Sequence, residues 1–329
     1  TGKVWKCFCV TAPRRRGGDA SAPWIGWTPM DPDTAALALV QSLDWGTVRL
    51  HALDAGRVRL DGGAMFGVVP KPLWERKIPA DERNRIPLSL RCLLLETPTA
   101  RILVETGIGN KEGAKFRDIY GVDNESSPGT PYLDRLHEAL SQLGLRAEDI
   151  DIVVNTHLHF DHAGGNTVRD AEGQVRVAFP RARYVVQRGE WDWAHRPNER
   201  TQASYLPANF DPVAAAGQLE LVDGERELVP GVVLWPTPGH TPHHQSVLVR
   251  AGDRVACFVG DLIPTAAHLP LPWIMAYDLE PLRTLETKRA VLARAAAEGW
   301  LLVFPHDPVR AWGVLHVDGQ TLLDTEAQR

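Results

Sequence analysis

Three histidines and an aspartate fall within six residues, His157-Leu158-His159-Phe160-Asp161-His162, in a chain of 329 residues with 12 histidines in all. Imidazole nitrogen and carboxylate oxygen are the donors that hydrolytic transition metals bind, so the cluster points to a metal centre. The run IDIVVNT (150–156) leads into it, and Ala163-Gly164-Gly165-Asn166 follows. A β-branched strand that ends in a glycine-rich loop presents such side chains at the rim of a sheet. The bland alternative is a polar loop holding no ion. It would crowd imidazoles that repel one another when charged and lack partners when neutral.

The same device recurs downstream. VVLWPTPG (232–239) ends in His240, VACFVG (255–260) in Asp261, and LLVFP (301–305) in His306. Ligands of open α/β sheets gather outside the carboxyl ends of strands. Read alone, Gly-His-Thr, Gly-Asp and Pro-His-Asp-Pro are ordinary turns; read together they complete a set of seven with His157, His159, Asp161 and His162. One tetrahedral ion takes three or four protein ligands, so seven suit two ions sharing a carboxylate.

The elements that must position these groups are also legible. Strands are expected over TVRLHALDA, RVRLDG, LSLRCLLLE (88–96) and RILVETG, the last two joined as a hairpin through Pro98-Thr99-Ala100. Residues 70–87, with four prolines and many charges, read as a long loop, and Val68, Val69, Leu73 and Trp74 there offer a candidate homodimer surface. A helix should start with Thr130 as cap and Pro131 in its first turn, present Leu133, Leu136, Leu140 and Leu143 on one face, and stop at Gly144. Residues 182–187 read as a strand, 188–195 as a short helix, and 201–217 as a polar insertion with helical patches. A long helix is expected from Pro281 to Glu298, stopped by Gly299.

HxHxDH followed by a lone His, a lone Asp and a last His resembles the metallo-β-lactamase superfamily, from about Trp45 to the end of the chain. The resemblance implies an α/β metallo-β-lactamase fold, a four-layer αββα sandwich of two mixed β-sheets flanked by helices. It implies two divalent ions, with zinc expected first and manganese, iron or cobalt also accommodated. His157, His159 and His240 would hold one ion, Asp161, His162 and His306 the other, and Asp261 would bridge. Aspartate rather than cysteine at the bridging place favours the branch that includes glyoxalase II, the acyl-homoserine-lactone (quorum-quenching) lactonases and methyl parathion hydrolase. Residues 61–74 and 260–273 look most like the lactonase and phosphotriesterase side of it. Two departures stand out: Glu105-Thr106-Gly107 occupies the place of the family's common Asp-Thr-Gly, and His243 falls where glycine is frequent. His243 and His244 remain open between positioning, substrate-facing and surface roles.

The implied chemistry is hydrolysis by a hydroxide bridging two ions, with Asp161 binding an ion while accepting the nucleophile's proton. Apolar candidates for the pocket wall are Met65, Phe66, Leu269, Leu271, Trp273, Ile274 and Met275; Phe66, His268, Trp273 and Tyr277 are the expected substrate contacts. Tyr205 or Tyr277 would serve the oxyanion. An apolar wall suits a lactone or small ester, with an aryl phosphotriester second and a non-catalytic binding protein third. His51, His137, His195 and His316 read as ordinary core or surface groups.

Composition bounds the rest. The net charge of -5 gives no basic surface for nucleic acid. No apolar run approaches the ~20 residues of a membrane span. Cys7, Cys9, Cys92 and Cys257 lack zinc-ribbon spacing and read as reduced thiols of a cytoplasmic protein. Residues 1–44 form a basic extension, expected to be flexible and without a secretory signal, and residues 45–329 the hydrolase domain.

Overall fold

The computed structural model describes residues 38–316 and 322–323. Strands β1 (Val40–Asp44), β2 (Arg49–Asp61), β3 (Arg85–Glu96) and β4 (Arg101–Val104) come first, with short helices α1 (Gly62–Phe66) and α2 (Lys71–Trp74) between β2 and β3. Helices α3 (Ala114–Tyr120) and α4 (Arg135–Gln142) precede β5 (Ile152–Val154), and α5 (Phe160–Ala163) follows it. A small pair, β6 (Thr167–Arg169) and β7 (Val175–Val177), leads to β8 (Arg183–Gln187), α6 (Arg188–Ala194), α7 (Asp211–Ala215) and β9 (Leu219–Val222). The second half runs through β10 (Arg226–Val229), β11 (Val232–Pro236), β12 (Gln245–Ala251) and β13 (Arg254–Phe258). Helix α8 (Pro281–Glu298) then leads to β14 (Leu301–Val303), β15 (Trp312–Leu315) and β16 (Leu322–Leu323).

Two seven-stranded mixed sheets result. The first has the order β1-β2-β3-β4-β5-β8-β9, antiparallel as far as β4 and parallel beyond it. The second runs β10 to β16 in chain order, with β13 and β14 as its parallel pair. Strand periodicity of two divides each strand between layers. Leu93, Leu95, Ile102, Val104, Ile152 and Val154 of the first sheet pack against Val247, Val249, Ala256, Phe258 and Val303 of the second. Their neighbours Cys92, Leu94, Leu103 and Val153 face outward onto Leu136, Ala139 and Leu140 of α4. Cys257 and Leu302 likewise face Val291, Leu292 and Ala295 of α8. The four-layer αββα sandwich expected from the sequence is the observed architecture.

Several local expectations are corrected. Val40–Asp44 pairs in register with Arg49–Leu53, so these five residues belong to the sheet and not to an extension ending at residue 44. Residues 1–37 of that extension, with Cys7 and Cys9, lie outside the described residues. The two strands expected over 47–62 are one strand with a shift between Asp54 and Arg57. Gly56 carries the shift at φ +118°, where an added Cβ would stand 2.4 Å from the Asn124 Cβ. Helix α4 starts at Arg135 under Asp134, whose carboxylate accepts from His137 N at 3.0 Å; this satisfies a free helix-end donor better than Thr130, whose hydroxyl turns back to Ser127 O. The 70–87 stretch holds helix α2 and the start of β3, and Val69 and Trp74 are buried in the chain's own core, out of reach of a dimer partner.

Candidate metal centre

The seven side chains singled out in the sequence meet at the ends of four strands, six of them buried and His159 half-buried. Strand β5 ends at Val154 and the chain turns outward through His157 and His159 before α5 lifts Asp161 and His162 alongside. His240 follows β11, Asp261 follows β13 and His306 follows β14. His157 Nε2 stands 3.1 Å from His159 Nδ1, and His240 Nε2 stands 3.2 Å from that same atom. On the other side His162 Nε2 and His306 Nε2 are 3.0 Å apart, with Asp161 Oδ2 at 3.8 and 3.7 Å from them. Asp261 spans both groups: Oδ1 lies 3.4 Å from His162 Nε2 and 3.1 Å from His306 Nε2, and Oδ2 lies 3.3 Å from His240 Nε2.

These separations fit metal ligands. A tetrahedral ion with bonds of about 2.05 Å holds its ligand atoms about 3.3 Å apart. The outward nitrogens are already committed: His306 Nδ1 donates to Ser89 O at 2.8 Å and His240 Nδ1 to Asp278 Oδ1 at 2.9 Å. Their Nε2 lone pairs therefore face inward, and lone pairs brought this close call for a cation between them. Asp261 Oδ1 is buried without a hydrogen-bond partner, which costs free energy unless a positive charge meets it.

Charge balance agrees. Burial, then the neighbouring imidazoles, hold His157 and His159 well below the ordinary histidine value, so both are neutral donors of electron pairs. Burial also works against protonation of His162 and His240. There the carboxylates outweigh it, Asp261 and Asp161 at His162 and Asp261 and Asp278 at His240, and both are raised. Burial would raise Asp261, yet His162, His306 and His240 hold it well below the usual carboxylate range. The cluster is short of positive charge. Glu105, His157 and His162 form a third close trio, but Glu105 Oε1 already accepts from Thr156 N at 2.9 Å and stands 3.6 Å behind His162, at its Nδ1.

Groups that the sequence left open or missed now have places. His244 is fully buried and its Nε2 accepts from Asp261 N at 3.1 Å, fixing the backbone of Asp261. Gly260 there has φ +54° and its Cβ would stand 2.4 Å from that nitrogen, so a side chain has no room. His243 is exposed against Gly189. Glu190, also fully buried, accepts from Leu158 N (3.1 Å), Tyr205 Oη (2.9 Å) and Thr241 Oγ1 (2.7 Å), joining the His157–His159 turn to the His240 turn. The Tyr205 hydroxyl is thus spent on Glu190 and does not face an oxyanion.

A cavity of about 400 Å³ opens onto His159, Asp161, His240, Asp261 and His306. Leu60, Met65, Phe160, Met275 and Leu279 give it apolar walls, and Tyr120, Tyr277, Arg200 and Ser204 its polar lining. Burial, then nearby acidic groups, raise both tyrosines, so their hydroxyls stay protonated donors. Of the four expected substrate contacts, Tyr277 is at the cavity and the other three are not among its lining residues. Phe66 is wholly buried, stacked between Trp74 and His268 with Trp273 at its edge. His268 is spent on Thr265 Oγ1 and Met65 O, both at 2.8 Å. These rings pack the floor beneath Met65.

Residues 86–306 match the metallo-beta-lactamase superfamily. The chain belongs to that superfamily. An N-acyl homoserine lactonase of a Bacillus species is 36% identical over 208 residues, 61% of this chain and 70% of that protein. The crystal structure of a probable metal-dependent hydrolase from Staphylococcus aureus superposes with TM-score 0.78 at 31% identity, covering 86% of this chain and 97% of that one. An N-acyl homoserine lactone hydrolase with N-hexanoyl-L-homoserine bound at its catalytic metal centre has TM-score 0.58 at 25% identity, covering 82% and 94%. The chain is accordingly a metal-dependent hydrolase of the metallo-beta-lactamase superfamily, related to N-acyl homoserine lactonases. Among the described residues no helix is long and apolar enough to cross a membrane.

Proposed function

We propose that this protein is a dinuclear metal-dependent lactonase that opens the ring of N-acyl homoserine lactones, with His157, His159 and His240 at one ion, Asp161, His162 and His306 at the other, and Asp261 between them. The observation that carries this reading is the two-faced contact of Asp261, one oxygen toward His162 and His306 and the other toward His240. When bound, two divalent cations supply a nucleophile from water at neutral pH and polarise the carbonyl under attack. Asp161, at the cavity wall, accepts the proton lost by the attacking water and passes it to the ring oxygen as the acyl carbon–oxygen bond breaks. The protonated hydroxyls of Tyr120 and Tyr277 are donors at the same wall, and Leu60, Met65, Met275 and Leu279 receive an apolar acyl chain. Zinc is the first candidate, and the nitrogen and oxygen donor set also admits manganese, iron or cobalt.

Elemental analysis alongside a ring-opening assay tests the proposal. Two ions per chain and turnover of N-hexanoyl-L-homoserine lactone are expected, with Asp261→Ala losing at least one ion and about 10²-fold or more in kcat/KM. A full metal complement and unaltered rate in Asp261→Ala would remove the dinuclear reading. Turnover of aryl phosphotriesters but of no lactone would move the substrate class to phosphoric esters.

A further inference from the structure

Among the described residues Arg200 is the only lysine or arginine lining the cavity, and it makes no ion pair with any of them. Its Nη2 donates to Ala276 O at 2.6 Å and Asp278 O at 3.2 Å, which bracket Tyr277. The backbone behind it is held by Asn198, whose Oδ1 accepts from Arg200 N at 3.0 Å and Thr201 N at 3.2 Å. The segment continues to Ser204, whose carbonyl accepts from Phe160 N at 2.9 Å beside the metal-binding turn. A guanidinium carries five donors in a rigid plane, so fixing Nη2 leaves the donors of Nη1 and Nε outside those two bonds. A fixed cation without an ion-pair partner, on a wall shared with Leu60, Met65 and Met275, is a receptor for an acceptor oxygen.

We propose that Arg200 is a specificity-determining residue: its free guanidinium edge binds an acceptor oxygen on the substrate, away from the ester under attack, while the alkyl portion lies on Leu60, Met65 and Met275. The subsite rests on the lactonase reading above and adds a demand to it. Favoured substrates carry an amide or carboxylate oxygen on the chain, and plain alkyl lactones are discriminated against. Because Arg200 also braces the loop of Asp278, and Asp278 holds His240, a bracing role alone would depress every substrate equally.

Three γ-lactones of matched chain length separate the roles: a plain alkyl lactone, an N-acyl homoserine lactone, and a lactone whose chain ends in a carboxylate. In metal-loaded Arg200→Met, KM should rise about ten-fold or more for an oxygen-bearing substrate and stay within about two-fold for the plain one. A rise for the amide alone identifies a neutral acceptor; a rise for the carboxylate alone identifies an anion. Equal changes across all three, or none, would overturn the subsite. Arg200→Gln replaces the methionine variant if the latter does not fold. If the wild type opens none of these rings, the lactonase reading fails by itself, and calorimetric binding of the same unreacted compounds decides the subsite. Equal affinity ratios in wild type and variant, or no binding at all, would then refute it.

Discussion

At the scale of single residues, the centre depends on contacts one layer out as much as on the seven side chains themselves. Asp278 accepts the hydrogen bond of His240 Nδ1 and thereby fixes which nitrogen points inward. Asp278→Asn keeps the volume and removes the charge. It should weaken metal retention by about 10- to 100-fold, read by chelator competition, while the metal-free protein melts as before. Unchanged retention would reduce the contact to packing. Asp278 was invisible in the sequence because it lies 38 residues from its partner in a loop without periodicity. The HxHxDH cluster was legible because one turn after a β-branched strand delivers all four groups. His243 and His244 could not be told apart, since adjacent residues at a strand start face opposite ways and only packing against Gly260 and Asp261 picks the inner one. Phe66 and His268 were misjudged for a related reason. Apolar and aromatic groups near a site look alike whether they line the cavity or pack the floor under it.

At the scale of elements, the segment between β13 and α8 carries the cavity wall, and α8 holds it from behind. Lys288 on α8 is fully buried, and its Nζ donates to Pro270 O at 2.9 Å and Trp273 O at 2.8 Å. Burial lowers it to about 7 from 10.5, against the raising influence of Asp278. Between those two values the unfolded chain binds a proton that the folded chain does not, so this group's contribution rises with pH across that window and is lost as pH falls toward 7. Urea unfolding should therefore show the wild type gaining stability over Lys288→Met as pH is raised through the window, whatever the two differ by at its lower end. A difference independent of pH would mean that Lys288 stays charged in its buried site. The span of α8 was readable because Pro281, an apolar stripe and Gly299 mark both ends. The kink in β2 and the membership of β1 were not, because tertiary partners set them: Asn124 against Gly56, and an edge strand pairing with an already complete neighbour.

At the scale of the whole molecule, the centre sits on the seam between the two sheets. His157, His159, Asp161 and His162 come from the first sheet's half, and His240, Asp261 and His306 from the second's. The seam is closed along its length by Leu93, Val104 and Val154 against Val249, Phe258 and Val303. At the rim the polar ligands replace that apolar contact, and like charges and lone pairs face across the gap. On the proposed function, ions bound there would tie the halves together, and their binding free energy would add to folding. An ion held at a hundred times its dissociation constant adds about 2.7 kcal/mol, a melting shift of about 4 °C for a chain of this size. Stripping with a chelator should lower the melting temperature by at least that amount, and zinc should restore it, both read without any substrate. Asp261→Ala, which loses the oxygens facing both groups, should show a smaller shift than the wild type between its metal-loaded and stripped forms. If stripped and loaded wild-type protein melted within about 1 °C of each other, ions at the rim would add nothing to folding and the tie across the seam would be refuted.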